Sequence, residues 1–166
     1  MKTYESEVPA KPVSASKAEM NEVVLPNDAN NFGTLLGGKV MHLIDIAGAI
    51  AARRHSGHLV VTAAVDSLAF LSSIKVGDII VLKASVNRTF RTSMEVGVKV
   101  WAENTRTGEQ KHTASAYLTY VAMDDQGKPT PISSVIPETA EEKRRYDEAA
   151  LRRGIRLTSC APEVNR

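Results

Sequence analysis

Cysteine is almost missing from this chain. Cys160 is the only one, so no internal disulfide can form, and its place in an expected tail argues against a catalytic thiol. An excess of one charge is missing too. The chain has 21 Lys and Arg against 19 Asp and Glu, a net charge of +2, too small to argue for a nucleic-acid partner. No stretch is long and apolar enough to span a bilayer, so no membrane partner is expected. The amino terminus carries Glu5 and Glu7, has no apolar run and lacks arginine. That argues against a signal peptide and against a mitochondrial transit peptide. The expected location is cytoplasmic. The four histidines, His42, His55, His58 and His112, have no ligand-like spacing, so no metal site is expected.

What is present is an ordinary globular composition. The 166 residues are 43% hydrophobic and 24% charged, enough for one domain with a stable core. Residues 1–17, with Pro9 and Pro12, read as a flexible arm. Residues 18–153 read as a single domain that ends in a charged helix over about 138–153, opened by Pro137. Residues 154–166 read as a poorly ordered tail. Arg144, Arg145, Arg152, Arg153 and Arg156 cluster near the end; a solvated helix face is favoured over an anion site for a phosphorylated ligand.

Inside the domain, residues 18–25 suit a strand closed at Pro26. From about Gly38 to His55 the pattern is helical, with Val40, Leu43, Ile44, Ala47 and Ala51 forming one apolar stripe. Ser56 and Gly57 end it. Residues 59–70, 79–90, 93–103 and 110–123 read as strands, separated by turn signals such as Val76-Gly77-Asp78 and Asn104-Thr105-Arg106-Thr107-Gly108. Consecutive long strands with short links imply an antiparallel sheet, and the apolar helix must lie on one face of it. The class is α+β. Long strand edges are commonly covered by a second subunit, so at least a dimer is expected.

The most informative segment runs from Asp28 to Asp45. Asn30 and Asn31 precede a Gly37-Gly38 step, and a single carboxylate, Asp45, follows inside an apolar helix. Glycines ahead of a helix let a ligand approach bare backbone, and the first N–H groups are unpaired donors. A lone Asp among apolar residues is costly unless it has a task or a partner. At about 100° per residue, Asp45 falls off the sheet-facing stripe, beside Met41, Gly48, Ala49 and Ala52. Such a segment could polarise a carbonyl and activate a water. Taken singly, each residue has a plainer explanation: an interface Asp, a helix-entry turn, an Asx-turn Asn.

The string Asn30-Asn31-Phe32-Gly33-Thr34-Leu35-Leu36-Gly37-Gly38 with Leu43-Ile44-Asp45 resembles the signature of hotdog-fold acyl-CoA thioesterases. The group it resembles is the bacterial short and broad-specificity hydrolases related to the brain-type cytosolic enzyme. Val61-Thr62-Ala63-Ala64-Val65-Asp66-Ser67 with Phe70, Val76-Gly77-Asp78, and Arg91-Thr92-Ser93-Met94-Glu95-Val96 add to it. Two positions depart from the pattern: Asn31 stands where many relatives have His, and Phe90 where many have Gly.

This resemblance implies a hotdog fold, a long central helix wrapped by a five-stranded antiparallel sheet. It implies homodimers, joined as trimers of dimers into hexamers, with active sites between subunits. The substrate would be acyl-CoA, and the products a free fatty acid and coenzyme A, with no separate cofactor. Asp45 would be general base or nucleophile. Asn30 of the other chain would orient water or carbonyl, and amides near Gly37 and Gly38 would polarise the thioester. Thr62, Phe70, Arg88, Arg91, Thr92 and Ser93 are the substrate-binding candidates, with Arg88 and Arg91 meeting the coenzyme phosphates. The acyl chain would run beside Gly48, Ala49 and Ala52. The alternatives are a non-catalytic acyl-CoA sensor and, less favoured, a hotdog dehydratase or hydratase.

Overall fold

The computed structural model describes residues 9–159; Glu5, Glu7 and Cys160 lie outside them. The hydrophobic alternation becomes a five-stranded sheet built from β2 (Ala18–Val23), β3 (Leu59–Phe70), β4 (Ile79–Thr89), β5 (Ser93–Glu103) and β6 (Gln110–Met123). The spatial order is β2-β4-β5-β6-β3, with every neighbouring pair antiparallel. The apolar stripe becomes helix α1 (Gly37–Ser56), whose Val40, Leu43, Ile44, Ala47 and Ala51 are all buried. On β5 the alternation is visible directly: Met94, Val96, Val98 and Val100 face the core with α1, leaving Glu95, Gly97, Lys99 and Trp101 on the other face. This is the hotdog arrangement. Gly57 closes α1 in the left-handed region at φ 71°, donating its N–H to the Arg53 carbonyl at 2.8 Å.

Two boundaries differ from the sequence reading. The expected arm through residue 17 is docked from Lys11 onward. Strand β1 (Lys11–Pro12) pairs in parallel with β7 (Val135–Ile136). Val13 and Ser16 are buried, and Ser16 Oγ accepts from the Val86 N–H at 2.9 Å. The final helix, α2, spans Ala140–Ser159 and runs straight through Gly154. It is opened by Thr139 rather than by Pro137. Thr139 Oγ1 accepts from the Glu142 N–H at 3.1 Å, and the Glu142 carboxylate accepts back from the Thr139 N–H at 3.1 Å. That reciprocal capping box carries the Thr-x-x-Glu signature of a helix start.

At the end of α1, His55 has no exposed surface. Its Nε2 donates to the Ser133 carbonyl at 2.9 Å, and Nδ1 has no partner among the described residues. Burial lowers its pKa, against the pull of the Ser133 carbonyl and with the help of Lys11. In an unfolded chain it would titrate near pH 6.5, so below about that pH the unfolded state takes up the proton first. Stability from His55 is therefore complete above that value and falls as the pH drops through it. Thermal melts between about pH 7.5 and 5 should show a falling Tm, and His55→Gln should flatten that slope. An unchanged slope would assign the acid sensitivity elsewhere.

Candidate active site

The chain folds back at Asn30 because its side chain makes the turn. Asn30 Oδ1 accepts from the Phe32 N–H at 2.9 Å, the Thr34 N–H at 3.2 Å and the Thr34 hydroxyl at 3.1 Å. The plainer Asx-turn reading thus holds for its oxygen. Its amide nitrogen makes no hydrogen bond among the described residues. The turn delivers the chain to α1 with Leu36 in an extended conformation and no side-chain cap. The first intrahelical donors are Lys39 and Val40, both to the Leu36 carbonyl. The Gly37 and Gly38 amides have no acceptor among the described residues, so two exposed donors stand at the positive end of a 20-residue helix.

Asp45 sits two turns further on. It is held by two other elements. Thr62 of β3 donates its hydroxyl to Asp45 Oδ1 at 2.6 Å. Tyr120 of β6 donates to the Asp45 carbonyl at 2.9 Å and reaches Oδ1 at 3.2 Å. Both donors fall on Oδ1, which leaves Oδ2 as the open oxygen. Burial pushes the Tyr120 phenol far up, and the Asp45 charge adds to this. Tyr120 therefore stays protonated and acts as a fixed donor.

Tyr120 was not anticipated. Its signal lies in the pairing of an inward-facing position on β6 with Gly48 on α1. A Cβ at Gly48 would lie 2.3 Å from the Tyr120 hydroxyl oxygen. This overturns one expectation. Gly48 and Ala52 do not flank an acyl chain: Gly48 makes room for the tyrosine, and Ala52 has no exposed surface. An apolar pocket of about 370 Å³ opens elsewhere, beside Gly37, lined among others by Leu35, Val40, Phe70 and Ala114. Phe70 is thus brought to the helix start, within 3.6 Å of where a Gly37 Cβ would be.

The remaining candidates do not converge. Arg88 lies on the opposite face of the sheet, its guanidinium 4.1 Å from the centre of the Tyr146 ring and bonded to the Tyr146 carbonyl at 3.2 Å. It is spoken for by α2, and this argues against its role at the phosphates. Arg91 is exposed in the turn between β4 and β5, beside half-buried Thr92 and Ser93. Ser93 shares a row of the sheet with Val121 and Val61, next to Thr62, without touching Asp45. A larger groove of about 730 Å³ lies on the outer face, by Lys83, Lys99 and Trp101, away from Asp45. Among the described residues no group of three or more His, Cys, Asp or Glu could hold a metal, and no helix is long and apolar enough to cross a membrane.

One distance governs how the site can work. Gly37 and Asp45 are eight residues apart on α1, about 12 Å along its axis at 1.5 Å per residue. A separation of that order along the axis favours a thioester held by the amides of one chain and met by the carboxylate of another. The edge strand offers a place for that second chain. Leu59, Val61 and Val65 of β3 are exposed, as are Phe32 of the Asn30 turn and Met41 and Ile46 of α1. An apolar edge of this kind is suited to pairing with another copy.

The profile described as the thioesterase superfamily matches residues 32–109. A Bacillus subtilis protein described as an uncharacterized acyl-CoA thioester hydrolase is 43% identical over 82% of this chain and 80% of its own length. The crystal structure of an apo-hexameric acyl-CoA thioesterase superposes with a TM-score of 0.90 at 44% identity, covering 94% of this chain and all of that one. A Staphylococcus aureus acyl-CoA hydrolase, solved with butyryl coenzyme A, coenzyme A and coenzyme A disulfide, gives a TM-score of 0.86 at 41% identity over 91% and 92% of the two chains.

Proposed function

This chain belongs to the thioesterase superfamily, and from that membership we propose that it hydrolyses acyl-CoA to a carboxylic acid and free coenzyme A in a site shared between two copies of itself. The rise of about 12 Å along α1 from Gly37 to Asp45, both on one 20-residue helix, is the observation that carries the shared site. The amides of one chain would hold the thioester oxygen, with Asn30 of that chain offering its free amide nitrogen. Asp45 of the other chain would take the proton from the attacking water through Oδ2. Each amide aimed at the developing oxyanion is worth about 3–4 kcal/mol, and a placed general base about 10²- to 10⁴-fold. Direct attack by Asp45 to give a mixed anhydride uses the same geometry. The apolar pocket beside Gly37 would take the acyl chain.

Catalysis on this scheme needs no cofactor beyond the coenzyme A of the substrate. The assembly would be a homodimer through β3, repeated as a trimer of dimers like the hexameric relative. The cytoplasm, where acyl-CoA is made and used, is the location that fits.

Purified protein should release thiol from acyl-CoA across a series of chain lengths. The shared site is tested by mixing Asn30→Ala with Asp45→Ala. Random exchange places both lesions in one site of each mixed dimer and leaves the other intact, so up to about a quarter of wild-type activity should return. No recovery after verified subunit exchange would place Asn30 and Asp45 in one chain's site.

A further inference from the structure

The arginines of α2 have a destination that the active site does not use. Arg156 reaches across the outer face of the sheet. Its Nη1 donates to Asp66 Oδ1 at 2.6 Å, to Asp66 Oδ2 at 2.5 Å and to Thr119 Oγ1 at 2.9 Å. The Thr119 hydroxyl in turn donates to Asp66 Oδ2 at 3.3 Å. The carboxylate is only 7% exposed and the guanidinium 19%. One nitrogen therefore joins β3, at Asp66, to β6, at Thr119.

These two residues lie back to back with the groups that hold Asp45. On β6, Thr119 and Tyr120 are consecutive, so Thr119 faces out to Arg156 while Tyr120 faces in to Asp45. On β3, Thr62 and Asp66 are four residues apart. In a regular strand an even spacing puts both on one face. Here Thr62 faces in and Asp66 faces out, because the register shifts between Thr62 and Ala64, leaving Ala63 as an extra residue. A second shift follows between Val65 and Ser67, which makes Asp66 itself the extra residue there. The inner contact and the outer contact can coexist only while the first bulge is kept. If β3 slipped by one residue to erase it, either Thr62 would turn from Asp45 or Asp66 would turn from Arg156.

We propose that Arg156 is a positioning residue for the reaction. From the far side of the sheet it staples the bulged segment of β3 to β6 and so keeps Thr62 aimed at Asp45 Oδ1. Arg156 makes no hydrogen bond to Asp45 among the described residues, and its influence passes through Thr62. The inference rests on the thioesterase reading for its effect on turnover, and on the bulge alone for its effect on β3.

The test is a double-mutant cycle read by thiol release and by amide exchange. Arg156→Ala should lower kcat about tenfold, with KM for acyl-CoA close to the wild-type value, because a small misplacement of an acting group is costly. Arg156→Lys keeps the charge but ends one bond short of the Nη1 position that joins Asp66 to Thr119, so kcat should fall by a smaller factor; it carries the test if the alanine variant does not fold. In a Thr62→Ala background both changes should lose their effect on kcat. Amide exchange over residues 62–67 should quicken in the Arg156 variants. A raised KM with intact kcat would make Arg156 a substrate contact and overturn the proposal. So would a full kcat loss that persists without Thr62, or unchanged exchange. If the wild-type chain released no thiol from any acyl-CoA, the thioesterase reading would fail, while the exchange result would still decide whether Arg156 fixes β3.

Discussion

Asp45→Ala should retain its fold and lose about 10²- to 10⁴-fold in kcat for thiol release, the range of a positioned general base. The argument begins with its setting. Asp45 is anchored through Oδ1 by Thr62 at 2.6 Å and Tyr120 at 3.2 Å, so the carboxylate is oriented before substrate arrives. The buried carboxylates of the sheet cannot replace it. Asp66 and Glu95 are turned to the outer face and tied to Arg156 and Arg152. Asp45→Asn should lose nearly as much, since the amide keeps the shape and can still accept from Thr62 but cannot take a proton. The two variants together separate chemistry from packing. KM should change little, because Asp45 is asked to act on water rather than to hold coenzyme A. Wild-type turnover in either variant would remove Asp45 from the mechanism.

The elements that set this geometry were largely legible in the sequence, because strands joined by turn signals leave a strong local mark. β3 and β5 fall where alternation put them, at Leu59–Phe70 and Ser93–Glu103. The 3.6-residue stripe located α1 to within a residue at each end. What escaped was information held in pairs of distant residues. The small patch at Gly48 pointed to a thin ligand, yet the group filling it is Tyr120, some seventy positions away. Arg88 looked available for a phosphate until α2 placed Tyr146 over it. The end of α2 was misplaced because Gly154 reads as a stop. The tertiary contacts of Arg152 and Arg156, on either side of Gly154, outweigh the ~1 kcal/mol that glycine costs inside a helix. The solvated face expected of the arginine cluster holds for Arg144, which pairs with Glu141 and Glu148 at the surface. For Arg152 and Arg156 it fails, because their partners are carboxylates on strands that the linear sequence keeps far away.

Arg152→Ala is therefore expected to be the most destabilising single change on α2. Glu95 points outward from β5 but is covered by that helix, with 2% of its side chain exposed. Arg152 meets it with a true fork, Nε to Oε2 at 3.0 Å and Nη2 to Oε1 at 2.7 Å. The guanidinium also lies 3.7 Å from the centre of the Tyr117 ring. Asn87 adds one more donor to Oε1 at 3.0 Å, and it reaches there only because Gly97 leaves the space, a Cβ at that position lying 2.9 Å from Asn87 Nδ2. Removing the arginine strands a covered carboxylate with a single neutral partner, a loss of about 3 kcal/mol or more. In a chain of this size that lowers Tm by about 10 °C. Pairing Arg152→Leu with Glu95→Leu should recover much of it, because the penalty belongs to the unpaired charge and not to the missing bridge. Thermal melts of the two variants against the wild type decide this; a double variant no better than Arg152→Ala would mean that the bridge itself holds α2 down. Turnover per folded molecule offers the sharper contrast. Glu95 stands on β5, one strand removed from the bulged segment that presents Thr62, and Arg156 keeps its own hold on Asp66, so Arg152→Ala should cost less kcat than Arg156→Ala below its melting range. The two arginines, one turn apart on the same helix, then divide the work: Arg152 holds the helix to the sheet, and Arg156 holds the catalytic strand in register.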